Sequence, residues 1–144
     1  MRRERNVRRT KLQAIIQYIP GFADPAIPVG EWMYPDTKLG SFSAPWFALS
    51  ETAEQFVADC YAHGWVLKGF DWAAWAQTRR TQALRDDLAM VASATEHELA
   101  QLLTVVIRQS RFVEGALAGA FENGLILGIL KRAEQLAGDG GSTR

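Results

Sequence analysis

The residues best equipped for chemistry are Arg111 and Glu114, in the stretch Arg111-Phe112-Val113-Glu114-Gly115. Read as helix, they stand one turn apart, where a guanidinium and a carboxylate can pair. The flanking segments are strongly apolar. A carboxylate held in an apolar pocket has a raised pKa and works as a general acid or base. Catalysis needs further partners. Glu31-Trp32 and Asp71-Trp72 each set an acid beside a tryptophan, and these four residues complete the candidate site. The competing reading is structural: an ion pair, or a carboxylate at a helix start. Convergence of Glu31, Asp71 and Glu114 in one cleft marks an enzyme. Their dispersal over the surface marks an interaction module.

Other chemistries find less support. Cys60 and His63 are spaced to share a helical face, but a zinc site needs four ligands, or three and a water. No second pair exists in the sequence, so neither a metal nor a cofactor is expected. The chain has no G-x-S-x-G, no Gly-rich phosphate loop after a strand and no H-E-x-x-H. Arg2, Arg3, Arg5, Arg8, Arg9 and Lys11, against Glu4, form a basic arm over residues 1–11, while residues 20–78 are mainly acidic. Such an arm binds a phosphate backbone, lies on its own acidic surface, or is a solvated helix start. The last two readings are preferred. Ala120-x-x-x-Gly124 followed by Leu130 has the spacing of a helix-turn-helix. Its reading helix would open Ile126-Leu127-Gly128, which offers nothing polar to base edges.

Those residues must be carried by a single domain, for which 144 residues suffice. With 48% hydrophobic and 22% charged residues, the chain can bury a core, and its formal net charge is zero. Cys60 is the single cysteine, which rules out an internal disulfide and suits a reducing cytoplasm. No apolar run reaches the ~18 residues of a membrane span, because Glu114, Glu122 and Asn123 interrupt Phe112–Leu130. Gln13 and Gln17 likewise interrupt Leu12–Ile19, against a secretory segment. The expectation is a cytoplasmic protein without a membrane.

Leu12, Ile15, Ile16 and Ile19 mark one face of a helix that Pro20-Gly21 should end. Glu31–Tyr34 and Gly40–Phe42 flank a turn-rich Pro35-Asp36-Thr37-Lys38 and predict a small hairpin. Ser50 caps a helix with the stripe Ala53, Phe56, Val57, Cys60 and Tyr61, and Gly64 closes it. Asp71 caps a helix from Trp72 to about Arg85, and Met90-Val91-Ala92 is a short buried connector. Thr95-Glu96-His97-Glu98 is a capping box opening the face Leu99, Leu102, Leu103, Val106, Ile107. Val113–Phe121 and Ile126–Leu136 supply two more helices, separated or fused at Asn123-Gly124. Gly115, Gly119, Gly124 and Gly128 predict close helix crossings. All five tryptophans fall between residues 32 and 75, so residues 30–50 are expected to cover the core through their aromatics.

Taken in order, "GEW" at 30–32, "FDW" at 70–72, "RFVEG" at 111–115 and "GLILGIL" at 124–130 resemble an uncharacterised bacterial domain family of unknown function. The resemblance covers roughly residues 12–136. It implies a small stand-alone bacterial protein, and it brings no catalytic residues.

The sequence therefore predicts a mostly α protein: one compact domain of five to six helices over residues 12–137, with a small β-hairpin or irregular aromatic cover. Residues 1–11 form a basic arm and residues 138–144 a flexible tail. The function expected first is a non-enzymatic interaction module that binds a protein partner or a second copy of itself. Nucleic acid, through Arg2, Arg3, Arg5, Arg8 and Arg9, is the second partner class. The alternative is an enzyme with a carboxylate/Arg site at Glu114 and Arg111.

Overall fold

Local capping explains most of the helix starts in the computed structural model, which describes residues 2–34 and 45–142. The elements are α1 (Arg2–Ile16), α2 (Ile19–Ala23), β1 (Gly30–Met33), β2 (Trp46–Leu49), α3 (Glu51–Ala62), α4 (Trp72–Ala76), α5 (Arg79–Asp86), α6 (Leu88–Val91), α7 (Glu96–Gln109), α8 (Ala116–Glu122) and α9 (Leu125–Ser142). The molecule is mostly helical with one small antiparallel sheet. Among the described residues, six helices have seven residues or more.

Helix α7 is the centre. Thr95 accepts from the Glu98 N–H at 3.1 Å, and Glu98 Oε1 accepts from the Thr95 N–H at 3.0 Å, which is the expected capping box. From Leu99 to Ile107 every residue except Gln101 is buried. The apolar face read from the sequence is thus only part of what α7 hides. A helix buried all round has neighbours on every side, here including α4, α8 and α9. Its one buried polar side chain, Thr104, is fully satisfied. Its hydroxyl donates to the Ala100 carbonyl at 2.7 Å and accepts from the Leu67 N–H at 2.9 Å, which pins the segment after α3 to α7.

Leu12, Ile15 and Ile16 of α1 meet Leu125, Ile126, Ile129, Leu130 and Ala133 of α9 in the same core. Trp65 is fully buried there, its indole N–H donating to the Lys11 carbonyl at 2.8 Å. Ser50 caps α3 as expected, and Gly64, with φ +79°, follows its C-terminal cap.

Several boundaries differ from expectation. Pro20 sits in the first turn of α2 instead of stopping the chain's helical course, because proline fits the first turn of a helix. The single helix expected from Trp72 to Arg85 is two. Thr78 adopts extended backbone, accepts from the Thr81 N–H at 3.3 Å and starts α5 afresh. The Met90 connector is part of α6, capped by Asp87. The partner of β1 is Trp46–Leu49, whereas the Gly40–Phe42 strand and the Pro35–Lys38 turn lie outside the described residues. At the two ends, α1 begins at Arg2 and α9 continues to Ser142, so helix runs into the stretches expected as arm and tail. The glycines do not form one continuous crossing seam: Gly124 and Gly128 lie against Leu88 and Val91 of α6, where close approach is met, and the other two do not serve a helix crossing. Gly115 (φ +87°) and Gly124 (φ +88°) are left-handed residues just before α8 and α9, and Gly119 faces open space. Gly124 therefore separates α8 from α9, the first of the two arrangements its position allowed.

Candidate functional site

Between α7 and α8 the chain turns through Ser110–Gly115, and this turn is where distant parts of the sequence meet. Phe112 stacks on Trp72, with ring centroids 6.3 Å apart and planes at 22°. Arg111 Nη2 donates to the Tyr61 hydroxyl at 2.7 Å. Glu114 Oε1 accepts from the Phe47 N–H at 2.6 Å. Trp32 lies against Gly115, where a Cβ would meet its Cη2 at 2.9 Å. Gly115 is therefore required twice, by its positive φ and by the indole over it.

The sheet register explains the Glu114 bond. Trp32 faces Phe47 across the ladder, and the Ser50 N–H donates to the Val29 carbonyl. In an antiparallel pair this pattern makes Glu31–Ala48 the pair that exchanges hydrogen bonds, and it turns the Phe47 N–H to the outer edge of β2. The Glu114 carboxylate takes that edge donor and fastens the sheet to the turn. Trp32 and Phe47 also pack edge to face, centroids 5.5 Å apart, and Gly30 leaves room for the Phe47 ring. Residues 46–49 are thus fastened to the turn by Glu114 and Trp32, and not, as expected, by aromatics buried over the core: Trp32 and Trp46 stay exposed. A cavity of about 120 Å³ remains beside Glu114, between Phe47 and Leu49 of β2, Ser110 of the turn, and Leu117 and Ala118 of α8. It is well below the roughly 300 Å³ at which sites for drug-sized ligands begin.

Of the six candidate residues, Trp32, Trp72, Arg111 and Glu114 gather at this turn. Glu31 does not, because successive strand residues face opposite sides and Trp32 holds the side toward Gly115. The Asp71 carboxylate is occupied as the cap of α4, accepting from the Ala74 N–H at 3.1 Å. Arg111 and Glu114 bind different partners instead of each other, because Ser110–Gly115 is a turn and the helical one-turn spacing does not apply. Glu114 is exposed, not enclosed in an apolar pocket.

The chain belongs to the Family of unknown function (DUF6508), which matches residues 7–139. All four motifs that carried the resemblance lie inside that span. The geometry shows why three of them go together: "GEW" meets "RFVEG" through Trp32 and Gly115, and "FDW" meets it through Trp72 and Phe112. No curated protein and no solved structure matches the chain.

Several of the remaining sequence candidates have structural partners. Cys60 is fully buried, and burial, followed by the nearby Asp59 charge, pushes its thiol well above the ordinary range. Among the described residues no three His, Cys, Asp or Glu side chains group as metal ligands, and no helix is long and apolar enough to cross a membrane. Arg8 pairs with Glu96 at 2.9 Å, and the Lys11 ammonium sits 4.6 Å from the Trp65 ring centroid. Arg9 is exposed, and the side chains of Arg2, Arg3 and Arg5 lie outside the described residues. Ile126, at the start of the would-be DNA-reading helix, is fully buried.

Sequence reasoning missed Tyr61, Phe47 and Phe112 as members of the site. Phe112 carried a signal, a large apolar residue set between Arg111 and Glu114. Phe47 and Tyr61 carried none, since their roles rest on contacts 67 and 50 residues away.

Proposed function

We propose that this protein is a non-enzymatic module that binds a protein partner through the Ser110–Gly115 turn and the sheet fastened to it. Phe112 carries the reading, 78% exposed at the centre of that turn. A large apolar side chain on a loose loop means little. This turn is held by Trp72, Tyr61, Phe47 and Trp32, so Phe112 stays in water on a fixed support. Val113 beside it is 51% exposed, and Trp32, on the sheet face toward the turn, is 39% exposed. Aromatic and apolar groups held out on a rigid frame are the usual anchors of a protein interface. The engagement of Glu114 and Asp71 with backbone N–H groups, and the placement of Glu31 on the far side of the sheet, weigh against the enzyme alternative.

The test is a photo-crosslinking residue placed at position 112 in cells that express the protein, with a control at the exposed Gln82. A discrete adduct at 112, absent at 82, is expected, and an adduct with a second copy of the chain counts as a protein partner. Equal labelling at both positions, or none, refutes the reading.

A further inference from the structure

Two arginines, Arg108 in the last turn of α7 and Arg111 just after it, lie by Tyr61 without a carboxylate partner among the described residues. The Arg108 and Arg111 guanidinium carbons lie 5.9 and 5.7 Å from the centroid of the Tyr61 ring. Arg111 also donates one hydrogen bond to the Tyr61 hydroxyl. Among the described residues neither guanidinium forms an ion pair, although Arg8 and Arg80 each find a glutamate. A cation at the C-terminal end of α7 complements the helix dipole. That accounts for one positive charge there, but not for two gathered on a neutral ring. Both guanidiniums lie within 6 Å of the Tyr61 ring, and the hydroxyl takes one of the five N–H donors of Arg111. The others stay available, in a fork that matches a carboxylate. Phe112 follows Arg111 directly and is the most exposed of the large apolar residues described.

We infer, resting on the reading above, that the partner contributes an acidic peptide segment. A carboxylate of that segment docks on Arg108 and Arg111 while a neighbouring apolar side chain packs on Phe112. The carboxylates of Glu114 and Asp71 are already bonded to the Phe47 and Ala74 N–H groups and do not compete for the forks. Holding the arginines in place beforehand lowers the ordering cost of binding.

The experiment titrates the full ¹⁵N-labelled chain with a blocked pentapeptide of sequence Glu-Glu-Phe-Leu-Glu. Its Gln-for-Glu and Lys-for-Glu analogues and sodium acetate serve as comparisons. The acidic peptide is expected to shift the amide signals of residues 108–115, and to bind about tenfold more tightly than the Gln analogue, in keeping with a charge-assisted contact. Its affinity should fall as salt rises from about 50 to about 300 mM. The R108Q/R111Q double variant should lose most of this preference, and R108K/R111K should keep part of it. The wild-type contrast between the Glu and Gln peptides holds even if the double variant folds poorly. Equal binding of the Gln or Lys peptide overturns the inference. So does undiminished binding by a folded double variant, absence of shifts at 108–115, or acetate alone reproducing them at the same concentration. If position 112 gives an adduct in cells while the Glu and Gln peptides bind alike, the module reading stands and the acidic partner falls. Failure of both removes both.

Discussion

From Leu99 to Ile107, α7 keeps all but one residue out of water, while the two-stranded sheet leaves Trp46 on β2 44% exposed and Trp32 on β1 39% exposed. Both regions are rich in large apolar groups. In the helix, burial and backbone hydrogen bonding are met together, because each i to i−4 bond is internal and every face can turn to a neighbour. A two-stranded sheet has two open edges and little area, and it is marginal alone. It stands here through a few specific ties, Glu114 to the Phe47 N–H and Trp32 over Gly115. The core is held by the number of its contacts and the sheet by their identity. A region of the second kind can leave aromatic groups facing outward for a partner.

That contrast can be broken most strongly at α7. Leu103 is fully buried, and Leu103→Ala should destabilise the protein by about 2–5 kcal/mol through lost burial and the cavity left behind. The urea midpoint measures it, and a small loss would mean that the core collapses around the gap.

Gly115→Ala attacks the tie to the sheet. It forces a Cβ into left-handed backbone and against Trp32, at a cost of about 1–3 kcal/mol. Tryptophan emission should shift before global unfolding as Trp32 leaves its seat. A single transition seen alike by fluorescence and circular dichroism would show the sheet and core to be one unit.

Thr95→Ala removes one half of the capping box and should cost about 0.5–2 kcal/mol by the same denaturation assay. The other half responds to pH. Arg80, hydrogen-bonded to Glu98 at 2.7 and 3.0 Å, is the main cause that holds the Glu98 carboxyl down to about 2 against the opposing effect of burial, and the Thr95 N–H adds to it. Its folded pKa lies below the ordinary 4.5, so this contribution is present above that value and lost as pH falls toward 2. Urea midpoints measured across that window should decline, and Arg80→Gln should flatten the decline. An unchanged slope in the variant would show that other carboxylates govern acid unfolding.

The smallest effect is expected at Phe112. With its side chain in water, Phe112→Ser should change stability by no more than about 0.5 kcal/mol, while abolishing the crosslinked adduct when the probe is moved to Val113. A large loss of melting temperature would make the Trp72 stack structural and weaken the case for an interface.

The sequence alone determined the starts of α3, α4 and α7, since Ser50, Asp71 and Thr95 bond to N–H groups three residues on and need nothing distant. It determined that the molecule is mostly helical and that Leu99, Leu102, Leu103, Val106 and Ile107 belong to the core, because helical period is written in residue order. It also singled out Trp32, Trp72, Arg111 and Glu114, which meet at one turn, but not the manner of their meeting. Only the tertiary structure decided that Trp65 is fully buried while Trp46 is exposed, that Gly115 carries an indole, and that Glu114 bonds to Phe47 and not to Arg111. Each of those outcomes depends on where a separate element comes to rest, and the residues that settle it stand tens of positions away along the chain.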